Sequence, residues 1–307
     1  MRQAWRVPGL VERLDRVQQR VPALAVPVAV WRKFGDDRGG SLAALIAYYG
    51  FLSLFPLLLL FFTIVSYVLP HYPGAQRQLT RSVIGQFPVI GPQLQSNTDK
   101  PLHGSALALA VSLLALLWGA MGIAKALQEA TDEVWDVPHT ERLRFLGRLA
   151  RGLVLFPVIG VGVVATTAVS SLGTMRAWGP LGSVLAAIPA VIVNTALVLL
   201  VFRILTPREH TARELLPGAT LAAIGWQLLQ TIGVNLVSHQ LRHASQVYGV
   251  FGVTLGLLSF LAIAASLTVY SAELNVVLAD GLWPRSLRER RAPAPGRAAQ
   301  APGPNGD

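Results

Sequence analysis

Six stretches of this chain are too apolar and too long to be ordinary surface helices. They run over Ser41–Leu69, Ser105–Ala124, Gly152–Leu172, Leu181–Leu205, Leu215–Val237 and Val247–Leu278. A helix rises about 1.5 Å per residue and the hydrocarbon core of a bilayer is about 30 Å thick, so about 20 apolar residues suffice to cross it. Only 14% of the 307 residues are charged and 52% are hydrophobic, whereas soluble domains carry about 25% charged residues. The expected fold class is therefore all-α, a polytopic membrane helix bundle of six transmembrane helices. There are no cysteines, which excludes disulfides, thiolate metal sites and cysteine nucleophiles.

A net charge of +10 suits either nucleic acid or an anionic membrane surface as a partner. The position of the charges favours the membrane. The N-terminal segment, the connections after the second and fourth runs, and the C-terminal tail together hold 21 of the Lys and Arg residues. The other three connections hold only Arg77, Arg81, Lys100, Arg176 and Arg242. The positive-inside rule then places both termini in the cytoplasm of a multi-pass protein of the bacterial inner membrane. Membrane lipids are the expected partners, with anionic headgroups met by the Arg-rich termini, and no nucleic acid is expected.

Three regions follow from this pattern. Residues 1–40 form a basic amphipathic segment, cytoplasmic or interfacial, with a surface helix expected over 4–20. Within it, residues 21–31 are apolar but short and carry Pro22 and Pro27, so a re-entrant or interfacial lead-in is expected rather than a cleaved signal. Residues 41–280 form the membrane domain. Residues 281–307 form a basic tail rich in Pro and Ala, expected to be disordered. The long connection over 70–104 is expected to hold one short amphipathic helix.

Polar groups within the spans mark candidate sites, because in hydrocarbon they tend to face the bundle interior or a water-filled cavity. The first span carries Tyr48, Tyr49, Ser53 and Pro56, with a bend expected at Pro56. The fifth carries Gln227 and Gln230, followed by Thr231, Asn235 and Ser238. The sixth carries Tyr270 and Glu273. Arg203 and Lys125 stand at the cytoplasmic ends of the fourth and second spans. These residues would converge on an inner-leaflet cavity. Glu273 would pair with Arg203 or Lys125 and serve as a proton-coupled switch, while one of these cations binds an anionic head.

The second span continues as a polar helix whose stripe includes Lys125, Gln128, Glu129, Asp132 and Glu133. The following helix offers Arg144, Arg148 and Arg151, so a helical hairpin closed by ion pairs is expected. Glu129, Asp132 and Glu133 are also the only acidic cluster that would suit a metal-dependent nuclease. Carboxylates on one stripe fan out along the helix, and the neighbouring segment is basic. No phosphate-binding loop is present, and the pair His239 and His243 lacks the acid of a zinc protease helix. No metal site, cofactor or catalytic residue is therefore assigned, and the chain is expected not to be an enzyme.

Four motifs in order resemble the YihY/virulence factor BrkB family of bacterial inner-membrane proteins. They are the stretch from Ala43 to Pro56, the segment ending Val134-Trp-Asp-Val137, Leu205-Thr-Pro207 with Leu216-Pro-Gly-Ala219 and Trp226, and Val247-Tyr-Gly249 with Ala272-Glu-Leu-Asn275. The resemblance implies six membrane helices and no known cofactor. Members have carried a ribonuclease label that these residues do not support, and some are associated with serum resistance. Lipid transport has been suggested for relatives. Polar stripes and resemblance together favour a transporter or flippase-like protein for an amphiphilic, anionic substrate. Alternatives are a membrane-bound ribonuclease and an envelope-assembly scaffold.

Overall fold

The computed structural model describes residues 21–68, 74, 106–171, 179–206, 210–236 and 242–285. The expected helix over 4–20, the expected helix in 70–104, His239 and the tail beyond 285 lie outside the described residues. So does the side chain of Pro56.

Seven helices make up the described fold, with no strand among the described residues. They are α1 (Pro22–Asp36), α2 (Gly39–Val68), α3 (Ala106–Val134), α4 (Phe145–Ser171), α5 (Gly179–Leu205), α6 (Ala212–Leu236) and α7 (Arg242–Ala279). The described residues of the six apolar runs all fall in helices, α2 to α7. Four segments are long and apolar enough to cross a membrane: Leu146–Thr166, Ile188–Leu205, Ala212–Gly233 and Thr254–Ala279. Gly39–Leu54 is a shorter apolar stretch.

Residues 22–31, within the expected re-entrant or interfacial lead-in, begin one continuous helix. Pro22 occupies the first turn of α1, where its missing N–H would have had no partner. Pro27 lies only a turn further on and removes a single hydrogen bond.

The helices form a ring. Each of α2 to α7 packs on its neighbour in sequence, and α7 closes the ring on α2. Helix α1 lies against α7. The main core gathers at one end, from Ala43, Ile46 and Ala47 of α2, Ala126 and Ala130 of α3, Ala219 of α6 and Ala265, Val269 and Ala272 of α7. Small residues at these contacts let the backbones approach closely. Large apolar side chains point outward instead: Leu114, Trp118, Val161, Ile192, Leu228 and Ile263 are all exposed. A soluble protein would leave this much apolar surface in water at great cost. In a bilayer, lipid tails cover it.

Candidate functional site

The packed end of the ring is where α1 turns into α2, α3 into α4 and α5 into α6, and where α7 stops. At the first corner Arg38 adopts φ 54°, and Ser41 N–H donates to the Arg38 carbonyl at 2.8 Å, starting α2 immediately. Gly39 is required at this corner, because a Cβ would run into the ring of Phe34. The tight turn aims the last residues of α1 into the bundle.

Lys33 is the result. It is 3% exposed and is held by three groups. Its Nζ donates to the Asp37 carboxylate one turn on and to the Val134 carbonyl oxygen at 2.7 Å. It also lies 3.2 Å from Glu273 Oε2. Asp37 is likewise buried, and Glu273 is 0% exposed. Val134 ends α3, so its carbonyl has no partner within the helix. A cation there also suits the negative end of the helix dipole. Burial alone would lower the Lys33 pKa, but the carboxylates of Glu273 and Asp37 outweigh it and hold the ammonium above its usual value. Glu273 Oε1 finds no hydrogen-bond donor among the described residues.

The structure corrects the expected pairings. Glu273 pairs with Lys33, not with Arg203 or Lys125. Lys125 is 59% exposed and faces Glu129 at 3.7 Å, and Arg203 is exposed on α5. Both are exposed, whereas Glu273 is fully buried. Tyr270 packs on α1 beside the cluster: its ring stacks on Phe34 with centroids 3.9 Å apart and planes at 7°. Ser53 is buried, and its hydroxyl donates to the carbonyls of Tyr49 at 2.8 Å and Gly50 at 3.2 Å within its own helix. Tyr48 is exposed and meets Tyr49 edge to face at 5.3 Å. Gln227 and Gln230 are half-buried on α6. No described contact joins Tyr48, Lys125 or Arg203 to Glu273.

A second polar contact ties α6 to α7. Asn275 is 1% exposed, and its Oδ1 accepts the Gly218 N–H at 2.6 Å. Two separate sequence motifs, Leu216–Ala219 and Ala272–Asn275, thus meet in one contact. Gly218 is obligatory, since a Cβ would collide with the Ser271 carbonyl oxygen and the Asn275 amide.

An ionic hairpin forms between α3 and α4, but of Arg144, Arg148 and Arg151 only Arg148 makes an ion pair among the described residues, and Arg142 joins it. Arg142 binds Glu133 at 2.9 Å, and Arg148 lies 3.8 Å from Glu129 and 4.0 Å from Asp132. Gln128 donates to the Arg148 carbonyl at 3.1 Å. Burial raises the Asp132 pKa, against the lowering pull of Arg142, Arg148 and Arg151. The turn closes with Asp136 at φ 50°. Its N–H reaches the Glu133 carbonyl, and that of Val137 reaches the Asp132 carbonyl, which is the Schellman pattern. Trp135 then stacks on His210 at 3.9 Å, and His210 Nδ1 lies 2.8 Å from Glu214 Oε2. Among the described residues no three His, Asp or Glu side chains converge to hold a metal ion.

Lys33 and Asp37 are the site residues that sequence reasoning misses. Their spacing of four on a helix is the one available signal. In the sequence Lys33 reads only as one more charge that orients the chain.

An all-helical ring with outward apolar faces and a charged, packed end defines a multi-pass membrane protein. Within that class, the family model for virulence factor BrkB matches residues 30–295, and the chain belongs to this family. It is similar to an uncharacterized protein of Dickeya dadantii, 27% identical over 92% of this chain and 90% of that one. It is also similar to the inner membrane protein YhjD of Escherichia coli, 20% identical over 83% and 81% of the two chains. A putative ribonuclease-like protein, YfkH of Bacillus subtilis, is 25% identical over 81% of this chain and 93% of that one. No solved structure matches. The chain is a multi-pass protein of the bacterial inner membrane.

Proposed function

We propose that this protein moves an amphiphilic, anionic, lipid-like substrate between the leaflets of the inner membrane, with the Lys33–Asp37–Glu273 cluster as its protonation-sensitive latch. In this reading all six apolar helices, α2 to α7, span the bilayer, and both termini face the cytoplasm. The cluster then lies in the inner-leaflet half. The observation that carries the reading is Glu273, fully buried on the apolar helix α7 and held by a cation from α1. An ionisable group in such a place is costly and marks a substrate or proton path by default. Protonating Glu273 removes one of the two carboxylates holding Lys33. That loosens α1 from α7 and frees the end of α3, which gives the ring two states of different closure.

Enzymatic chemistry is not part of this reading. Glu129, Asp132 and Glu133 each face an arginine, which neutralises the carboxylates that a two-metal nuclease site would need.

The test is translocation of a fluorescent phosphatidylglycerol in proteoliposomes, read by dithionite quenching of the outer leaflet. The wild-type protein is expected to accelerate translocation with a rate that depends on pH. Glu273→Gln is expected to remove the pH dependence. A wild-type rate equal to empty vesicles, or an unchanged pH profile in the variant, would overturn the reading.

A further inference from the structure

Helices α4 and α5 run antiparallel, and their polar contacts sit at two levels. Near one end the Thr166 hydroxyl donates to Asn194 Oδ1 at 3.0 Å, in a buried bond. At the other, Arg151 donates to the Leu205 carbonyl at 3.2 Å. Between these levels lies an open groove of about 430 Å³, lined by Pro157, Val161, Gly162, Val193, Leu197 and Leu200 among others. Its volume falls within the usual range for ligand sites, about 300–1,000 Å³. Both walls belong to segments long and apolar enough to cross a membrane. Val161 and Leu200 are exposed on its rim, so the groove is open to the surface of the molecule.

Arg203 stands three residues beyond Leu200 on the same side of α5, about 4.5 Å further along the axis. It is exposed and has no ion pair or hydrogen-bond partner among the described residues. A wholly apolar slot with an uncommitted guanidinium one turn past its end is complementary to a phospholipid, tail and phosphate in that order. Arg side chains reach toward the interface from within a span, and the planar guanidinium binds phosphate through paired hydrogen bonds. A second copy of the chain seated there would bury that charge without a counter-ion.

We propose that the α4–α5 groove is a binding site for an anionic phospholipid of the surrounding bilayer, its acyl chain lying between Val161 and Leu197 and its phosphate on Arg203. The site is separate from the Glu273 cluster and does not rest on the transport reading. The lipid acts here as a bound ligand that fills a gap between two spans.

The experiment is native mass spectrometry of the full-length protein released from nanodiscs of equal phosphatidylglycerol and phosphatidylethanolamine. The wild-type protein is expected to retain phosphatidylglycerol in excess. Arg203→Gln should lower that excess about fivefold, the effect of one basic residue at an anionic interface. Arg203→Lys should keep most of it. Ala196→Phe, which fills the groove, should strip both lipids. Should that variant fail to fold, the two Arg203 variants decide the matter alone. Equal retention of the two lipids by the wild type, an undiminished preference in Arg203→Gln, or a dimer carrying neither lipid would each overturn the proposal.

Discussion

Lys33 shows how much a single residue decides in this protein. It neutralises a fully buried acid, closes the α1–α2 corner through Asp37 and caps α3. Replacing it with methionine keeps the volume but strands Glu273 as an unpaired charge. Breaking a buried pair in this way costs about 3–5 kcal/mol. Lys33→Met is therefore expected to be strongly destabilised in thermal unfolding in detergent. The double variant Lys33→Met, Glu273→Gln is expected to regain much of the loss, a coupling that a double-mutant cycle reads directly. An additive cycle would mean that the two groups do not interact. The pH dependence has a definite sign. The ammonium is held above the ordinary lysine value by ionised Glu273 and Asp37, so while both stay ionised its contribution is complete below that value. It is lost only as pH climbs through the raised one. The charge of Lys33 is legible in the sequence, but its partner is not. Glu273 lies far along the chain on another helix, and the choice among Lys33, Lys125 and Arg203 depends on which helix face turns inward.

At the scale of elements, the contact between α6 and α7 is set by closeness of backbone. Gly218 leaves room for the Ser271 carbonyl and the Asn275 side chain. Gly218→Ala is expected to push the helices apart and cost about 1–3 kcal/mol, the usual penalty of overpacking. Gly160→Ala on α4 meets nothing within 4 Å and is expected to leave the melting temperature unchanged or slightly higher, since alanine favours helix. Equal melting temperatures for the two variants would remove the packing argument. Helix positions are largely legible, because the length of an apolar run reports directly on burial in lipid. Helix α1 is not. Its two prolines suggest interruption, yet Pro22 sits in the first turn, where it does no harm, and the helix runs on through Pro27 at the loss of one hydrogen bond.

For the whole molecule, the ring places every described turn between helices at one end, together with the charged contacts of α3 with α4 and of α1 with α7. In the proposed topology that end faces the cytoplasm, as the distribution of Lys and Arg predicts. Reporter fusions at the two termini are accordingly expected to report the same, cytoplasmic, compartment. Opposite compartments would imply an odd number of crossings and remove the six-span topology. The ion-paired hairpin is legible because its acids and arginines are near one another in sequence. Tyr48, Lys125 and Arg203, expected beside Glu273, are instead exposed and make no described contact with it.

The sequence alone determined that this chain is a helical membrane protein. Apolar length and charge asymmetry are properties of local segments, and lipid and water act on each segment separately. Only the tertiary structure decided which polar side chains meet. Rotation of each helix about its own axis selects Lys33 over Lys125 for Glu273 and joins Asn275 to Gly218. That rotation is fixed by close packing between helices distant in the chain.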